Sequence, residues 1–233
     1  MKKVLKEFWI GFLSLIYPEV CIACRDILFR GEKIFCTDCL LDLPFLNFSD
    51  WKENALYTQL EWRMPGLAGA NSFFQFRKKS GVQHILHAIK YENQPDLAYK
   101  MGNWMYTKWG EQMKELAIDY VVPVPLHAAR KRQRGYNQSE EIAKGLIENT
   151  SLKISVNNLV RIKKTKTQTK QKRMQRWLNM QTVFHLKHPN EFANKNILLI
   201  DDVITTGATL ESCYELLNKA GVASVYVASI AKA

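Results

Sequence analysis

The sequence lacks an apolar run long enough to cross a bilayer, which sets aside stable membrane insertion. Its most membrane-like part is Met1–Tyr17, where Lys2 and Lys3 precede an apolar stretch as in a signal peptide. Glu7 interrupts the basic part and no small-residue cleavage site follows, so export is not expected. Leu5, Phe8, Trp9, Phe12, Leu13 and Ile16 fall instead on one helical stripe that Pro18 ends. A helix packed on its own protein is expected, with contact at a membrane surface as the alternative. Cysteine is scarce, five in 233 residues, and without export no oxidising compartment is available to pair them. At 47% apolar and 24% charged the chain is not a disordered one, and its length buries one good core plus a small appendage.

Acidic residues are missing locally. Arg161–Arg176 holds eight Lys or Arg and neither Asp nor Glu. The chain carries a net charge of +11, and His127–Arg176 accounts for all of it, with fourteen cations against three Glu. The rest balances at nineteen of each sign. A charge excess confined to one stretch points to a polyanionic partner there: diphosphate, nucleic acid, or both. A solvated loop is the bland alternative. Thr165, Thr167, Gln168 and Thr169 lie among the cations, and apolar periodicity is absent until Trp177, so this stretch is expected to move freely.

What is present centres on Asn196–Leu210, NILLIDDVITTGATL. Ile197–Ile200 reads as a buried strand ended by the charges of Asp201 and Asp202. A small, hydroxyl-rich turn comes next, Thr205-Thr206-Gly207-Ala208-Thr209. Leu210, Cys213, Tyr214 and Leu217 then recur at helical spacing, Gly221 stops the helix, and Val222–Ile230 is the next strand. A helix start offers unpaired N–H groups and a positive dipole end, which together hold a phosphate. Gly207 permits close backbone approach, and the threonine hydroxyls can donate to phosphate oxygens. Two carboxylates beside a phosphate would repel it, so Asp201 and Asp202 should face ribose hydroxyls or water on a divalent cation. A plain turn with an Asp cap is the alternative. Cys213, on the apolar face of its helix, is read as core.

Four of the cysteines form Cys21-x2-Cys24 and Cys36-x2-Cys39, a spacing that closes four thiolates around a structural Zn²⁺. Gly31 marks a turn between the knuckles, and a ribbon this small needs its metal to fold. Leu43–Pro65 shows no periodicity and reads as a connector partly packed on the next domain. A strand is expected over Ala70–Phe76, a helix through Val82, Ile85, Leu86 and Ile89, and another over Leu97–Leu116. His84 and His87, with no acidic or cysteine partner nearby in sequence, read as surface or packing residues. Tyr120–Val124 is a further strand, feeding the basic loop Pro125–Asn137. Arg130, Lys131, Arg132 and Arg134 in that loop are the candidate diphosphate donors. Asn137 and Glu140 have the spacing of a capping box for a helix reaching Asn149.

IDDVITTGAT resembles the loop that binds phosphoribosyl diphosphate (PRPP) in type I phosphoribosyltransferases. The resemblance implies that Asp201 and Asp202 contact the ribose diol, that Val203 comes directly after them, and that Ile204, Thr205, Thr206, Gly207, Ala208 and Thr209 cradle the 5′-phosphate. Members using hypoxanthine or guanine carry a third carboxylate where Thr205 stands, so the likeness does not extend to those substrates. The paired CxxC motifs, Lys90-Tyr91, PVPLHAARKRQRGYNQSE, KKTKTQTKQKR and the aspartate loop stand in the order of the ComF family. Those are bacterial proteins with a zinc-binding N-terminus and a phosphoribosyltransferase domain, some linked to natural competence. The implied fold is α/β, a mostly parallel sheet flanked by helices with a small N-terminal zinc ribbon. Residues 1–43 would be helix and ribbon, 44–69 a connector or hood, and 70–233 the phosphoribosyltransferase-like domain. The implied function is phosphoribosyl transfer in the cytoplasm from PRPP and Mg²⁺ to an unspecified acceptor, with the basic stretch closing over the diphosphate. No residue is assigned as the acceptor's acid or base. The alternative is a single-stranded DNA-binding protein of DNA uptake that stacks bases on Tyr136 or Trp177. A third reading is an adaptor whose ribbon docks DNA-uptake proteins.

Overall fold

The structure, a computed structural model of the 233-residue chain, describes residues 18–162 and 183–233. The apolar stripe of Leu5–Ile16, the basic run from Lys163 to Arg176, and Trp177 all lie outside the described residues. In chain order the strands are β1 (Gly69–Gln75), β2 (Tyr120–Pro123), β3 (Lys153–Ile154), β4 (Leu159–Arg161), β5 (Phe184–Leu186), β6 (Asn196–Ile204) and β7 (Ser224–Lys232). The helices are α1 (Thr37–Leu41), α2 (Ala55–Glu61), α3 (Gly81–Tyr91), α4 (Pro95–Glu115), α5 (Ala128–Arg134), α6 (Gln138–Ile147) and α7 (Ala208–Lys219). Among these helices none is long and apolar enough to cross a membrane.

Five strands pair in parallel in the order β1-β7-β6-β2-β3, and β4 and β5 form a separate antiparallel pair. A parallel sheet is covered on both faces, which is why β6 reads as an unbroken apolar run rather than an alternating one. Successive side chains of β6 still divide between the faces. Leu198 and Ile200 join a core built with α3, α4 and α6, including Val82, Ile89, Met101, Trp109 and Ile142. Ile197 and Leu199 join a second core with α2, α7 and the β4–β5 pair, including Leu60, Cys213, Leu217 and Phe184. The strand does not end at the first carboxylate. It continues to Ile204, with Asp201 registered opposite Ser229 and Val203 opposite Ala231 of β7. The acids therefore lie within the sheet, because pairing with β7 carries the backbone past them.

The stretch read as an aperiodic connector contains α2, which Asn54 caps by accepting from the Leu56 and Tyr57 amides. Its Leu56 and Leu60 are buried against the sheet, too short a pattern for periodicity to reveal. The ribbon turns through Arg25 at φ 69° and Gly31 at φ 102°, with Val20 bridged to Ile27. It docks on α3 in three ways. Phe35 and Leu43 enter the same core as Val82 and Leu86. A β-carbon at Gly81 would already sit 3.1 Å from Ala23 Cβ. His84 Nδ1–H donates to the Ala23 carbonyl at 2.7 Å, and Arg25 grips both carboxylate oxygens of Glu92 at 3.1 and 3.2 Å.

Candidate functional site

The carboxyl ends of β2 and β6 open into a cavity of about 220 Å³, the place where open parallel sheets bind ligands. Asp201, Asp202, Thr209, Arg130, Arg134 and Arg161 line it, with Lys90 and Tyr91 from α3. Cations and acids thus share the walls of one space.

Asp202 is buried and its Oδ1 pairs with Lys90 Nζ at 3.1 Å. Its Oδ2 is buried without a hydrogen-bond partner among the described residues. Asp201 accepts from the Ser139 hydroxyl at 3.1 Å and from the Asp202 amide at 2.9 Å. Burial, and then the charge of Asp202, push the Asp201 carboxyl up to about 7. Burial, and then the guanidinium of Arg130, hold Arg161 below the usual arginine range. Like charges so close are the mark of a site shaped for something of both signs, such as an anionic sugar phosphate carrying a cation.

The basic segment after β2 is not a loop. His127 caps α5 by accepting from the Ala129 amide at 3.1 Å, and Gly135 at φ +87° ends it. Helical rotation then separates the four expected donors. Arg130 and Arg134, four apart, face the cavity. Lys131 turns to Glu140 at 2.9 Å, and Arg132 is exposed and does not line the cavity. The capping box is half formed: Asn137 accepts from the Ser139 amide at 3.3 Å, while Glu140 binds Lys131 and Lys144 instead of returning to Asn137. Tyr136, expected as a base-stacking residue, is buried with its hydroxyl donated to the Ile89 carbonyl. It is not available to stack.

The hydroxyl-rich turn splits as well. Thr205 and Thr206 are exposed, Thr209 faces the cavity, Ala208 opens α7, and Ile204 is buried in the core. Val203 and Thr205 border a second cleft beside α3. Gly207 sits at φ +77°, and a β-carbon there would lie 2.6 Å from Leu60 Cδ2 of α2. Gln59 Nε2 donates to the Thr205 carbonyl at 3.1 Å and Arg63 pairs with Glu211 at 2.9 Å, so α2 props the turn from outside. Gly207→Ala is expected to cost about 1–3 kcal/mol through left-handed backbone strain alone. A thermal melt lowered by several degrees is the expected reading, and an unchanged melt would show that the turn relaxes freely.

Sequence reasoning does not single out Lys90, Tyr91, Ser139, Gln138 and Arg161 as site residues, yet they stand at the cavity or beside its acids. Lys90-Tyr91 carries a signal in its place among the ordered motifs, and Arg161 opens the basic run. Ser139 carries none, since its position depends on how Asn137 starts α6.

The four ribbon sulfurs lie within 4.8 Å of one another, with Cys24 and Cys36 at 3.7 Å, and could hold a metal ion. None is in a disulfide. Burial, and then the neighbouring sulfurs of Cys36, Cys24 and Cys21, push the Cys39 thiol up. A cation among them would relieve that crowding. Cys213 is buried in the core as expected, and burial pushes its thiol up.

A model of the phosphoribosyl transferase domain family matches residues 110–233. Competence protein F of Haemophilus influenzae is 32% identical over 229 residues, 91% of this chain and 96% of that protein. Competence protein ComFC of Bacillus subtilis is 39% identical over 106 residues, 45% of this chain and 41% of that one. The DNA utilization protein YhgH of Salmonella typhi is 25% identical over 146 residues, 61% of this chain and 63% of that one.

Proposed function

Because the chain belongs to the phosphoribosyl transferase domain family, and with competence protein F to the ComF family, we propose that it binds PRPP and transfers its phosphoribosyl group. One observation carries this reading: the partnerless Oδ2 of buried Asp202, on the wall of a cavity ringed by cations. A buried carboxylate oxygen without a donor is costly, and a ribose hydroxyl supplies one. Asp201 and Asp202 hold the ribose diol, and the 203–209 turn receives the 5′-phosphate on the N–H groups opening α7. Arg130, Arg134 and Arg161 stabilise the diphosphate as the C1–O bond breaks. Further charge neutralisation on the diphosphate would come from Mg²⁺ bound with PRPP. The cytoplasm is the compartment this chemistry fits.

The ribbon metal is read as Zn²⁺. A Zn–S bond of about 2.3 Å gives tetrahedral S···S edges of about 3.8 Å, close to the sulfur spacing here. In this division of labour residues 18–43 are the docked ribbon, 44–69 brace the phosphate turn, and 70–233 carry the chemistry.

A second reading, binding of single-stranded DNA in uptake, is favoured by the charge excess of His127–Arg176 and by the names of the relatives. One pair of measurements separates the two. Diphosphate release from PRPP and Mg²⁺, scanned over nucleobases and amines, is expected to find an acceptor. Neutralising Lys163, Lys164, Lys166 and Lys170 should then lower turnover more than PRPP affinity. If instead release is absent and the same change lowers the log–log salt slope of oligonucleotide binding by about 0.7 per lost contact, the DNA reading replaces the enzymatic one.

A further inference from the structure

A cavity of about 390 Å³, mostly polar, lies between the end of α3 and α5. Lys90, Tyr91, Arg130 and Arg134 line both it and the Asp202 cavity, whereas Asn93 and Gln133 line it alone. No acid is among its described walls. We propose that it is a regulatory site for a mononucleotide, which competes with PRPP for the two arginines they share. The competition rests on the PRPP reading above, while the nucleotide site stands on its own walls.

Three kinds of side chain meet here, and each fits one part of a nucleotide. Arg130, Gln133 and Arg134 fall at i, i+3 and i+4 of α5, so one side of that helix presents two guanidiniums and an amide together. Guanidinium forks bind phosphate oxygens in pairs. Asn93 enters from the turn after α3 at φ 51°, a left-handed position that asparagine tolerates. The amides of Asn93 and Gln133 both donate and accept, as reading a base edge requires. Tyr91 adds a ring that is 72% exposed, a surface on which a base stacks. Asn93, Arg130 and Gln133 have no side-chain partner among the described residues, so a ligand meets them without breaking a protein contact.

Size decides against a bare anion. A diphosphate on the arginines would leave the side of Asn93 and Gln133 empty, and the volume falls within the ~300–1,000 Å³ of small-molecule sites. A nucleic-acid strand needs a track of cations for successive phosphates, while the cations here converge on one space. Competition follows from the sharing. Arg134 stacks over the Tyr91 ring at 5.9 Å and donates to Gln138, so it has little freedom to serve two anions at once. Lys90 pairs with Asp202 at 3.1 Å, and a phosphate in this cavity competes for that charge. Linkage is reciprocal: whatever factor the nucleotide takes from PRPP affinity, PRPP takes from the nucleotide's.

The test is calorimetry on full-length, metal-loaded protein. AMP, GMP, CMP and UMP are titrated, with ribose 5-phosphate, adenosine and tripolyphosphate as controls, and then PRPP with Mg²⁺ over each. At least one mononucleotide is expected to bind and to raise the apparent PRPP Kd in proportion to its concentration. Asn93→Gly keeps the left-handed turn. Together with Gln133→Ala it should weaken that nucleotide about tenfold or more, while PRPP affinity stays within about twofold. Asp201→Asn with Asp202→Asn should do the reverse, which tells this site from a nucleotide seated in the Asp202 cavity. A nucleotide that follows the aspartates and ignores the change at Asn93 and Gln133 would overturn the proposal. So would ribose 5-phosphate or tripolyphosphate competing as strongly as any nucleotide, since the amides and Tyr91 would then read nothing. Binding of oligonucleotides but of no mononucleotide would overturn it as well. Protein that binds the mononucleotide through Asn93 and Gln133 but does not bind PRPP would uphold the site and overturn the transferase reading.

Discussion

Stripping the ribbon metal with a chelator is expected to lower PRPP affinity tenfold or more, although no ribbon cysteine lines the cavity of Asp202 and Arg130. The route is α3. One side of that helix receives the ribbon, through Phe35, Leu43, Ala23 and the Arg25–Glu92 pair, and its end delivers Lys90 to Asp202. Magnitudes decide which contact matters. The Arg25–Glu92 pair is half exposed and worth ~0.2–1 kcal/mol, under about fivefold in any equilibrium. Arg25→Ala alone should therefore change PRPP affinity little. The apolar seat is larger, and it exists only while the knuckles are closed, since a ribbon of this size has no core of its own. Losing the metal frees Phe35 and Leu43 from α3 together and lets the Lys90 end of the helix shift. Elemental analysis should find about one zinc per chain before treatment, and calorimetry reads PRPP binding before and after. Cys36→Ser with Cys39→Ser should reproduce the loss without chelator. Metal-free protein that stays folded and binds PRPP at full strength would disconnect ribbon from site.

That dependence is out of reach of sequence reasoning, whereas the elements it joins are not. β6 shows itself as a continuous apolar run, α7 by its i, i+3, i+4, i+7 spacing, and the cysteine cluster by two CxxC motifs. All three are local patterns. What escapes is whatever depends on chain segments meeting. Lys90 is an ordinary lysine until α3 lays it against Asp202, far along the chain. His87 has no acidic neighbour within one helical turn, yet Glu92 comes back to it just past the helix end. The basic segment reads as a loop because Ala128–Arg134 carries no apolar period. Its helicity comes from a His127 cap and a left-handed Gly135 instead. The aspartates are expected at a strand end because charge normally stops a buried strand, but backbone pairing with β7 outlasts the apolar run.

The burial of those aspartates shapes the second large effect. Asp201→Asn with Asp202→Asn is expected to weaken PRPP binding by about 10- to 150-fold, the range for losing hydrogen bonds to charged groups. The two positions should differ in stability. Asp202→Asn leaves Lys90 largely buried without its counter-charge, and breaking a buried pair costs up to about 3–5 kcal/mol, less here because Lys90 keeps some solvent. Asp201→Asn works the other way. Burial and the Asp202 charge push its carboxyl up to about 7, so folded Asp201 keeps a proton that the unfolded chain gives up near 4. Between those values the folded state binds more protons, and stability falls as pH rises. Asparagine does not titrate and escapes that loss. Asp201→Asn should therefore melt above wild type at pH 8 and match it near pH 4, while binding PRPP more weakly at both. Melts at the two pH values and calorimetry with Mg²⁺ and PRPP read the whole pattern. Asp201 then carries a cost in the empty site that only the ligand offsets, as expected of a group kept for binding rather than for the fold. Equal affinity in wild type and double variant would remove both acids from the site. A single variant that loses affinity and stability together at position 201 would make it a structural residue.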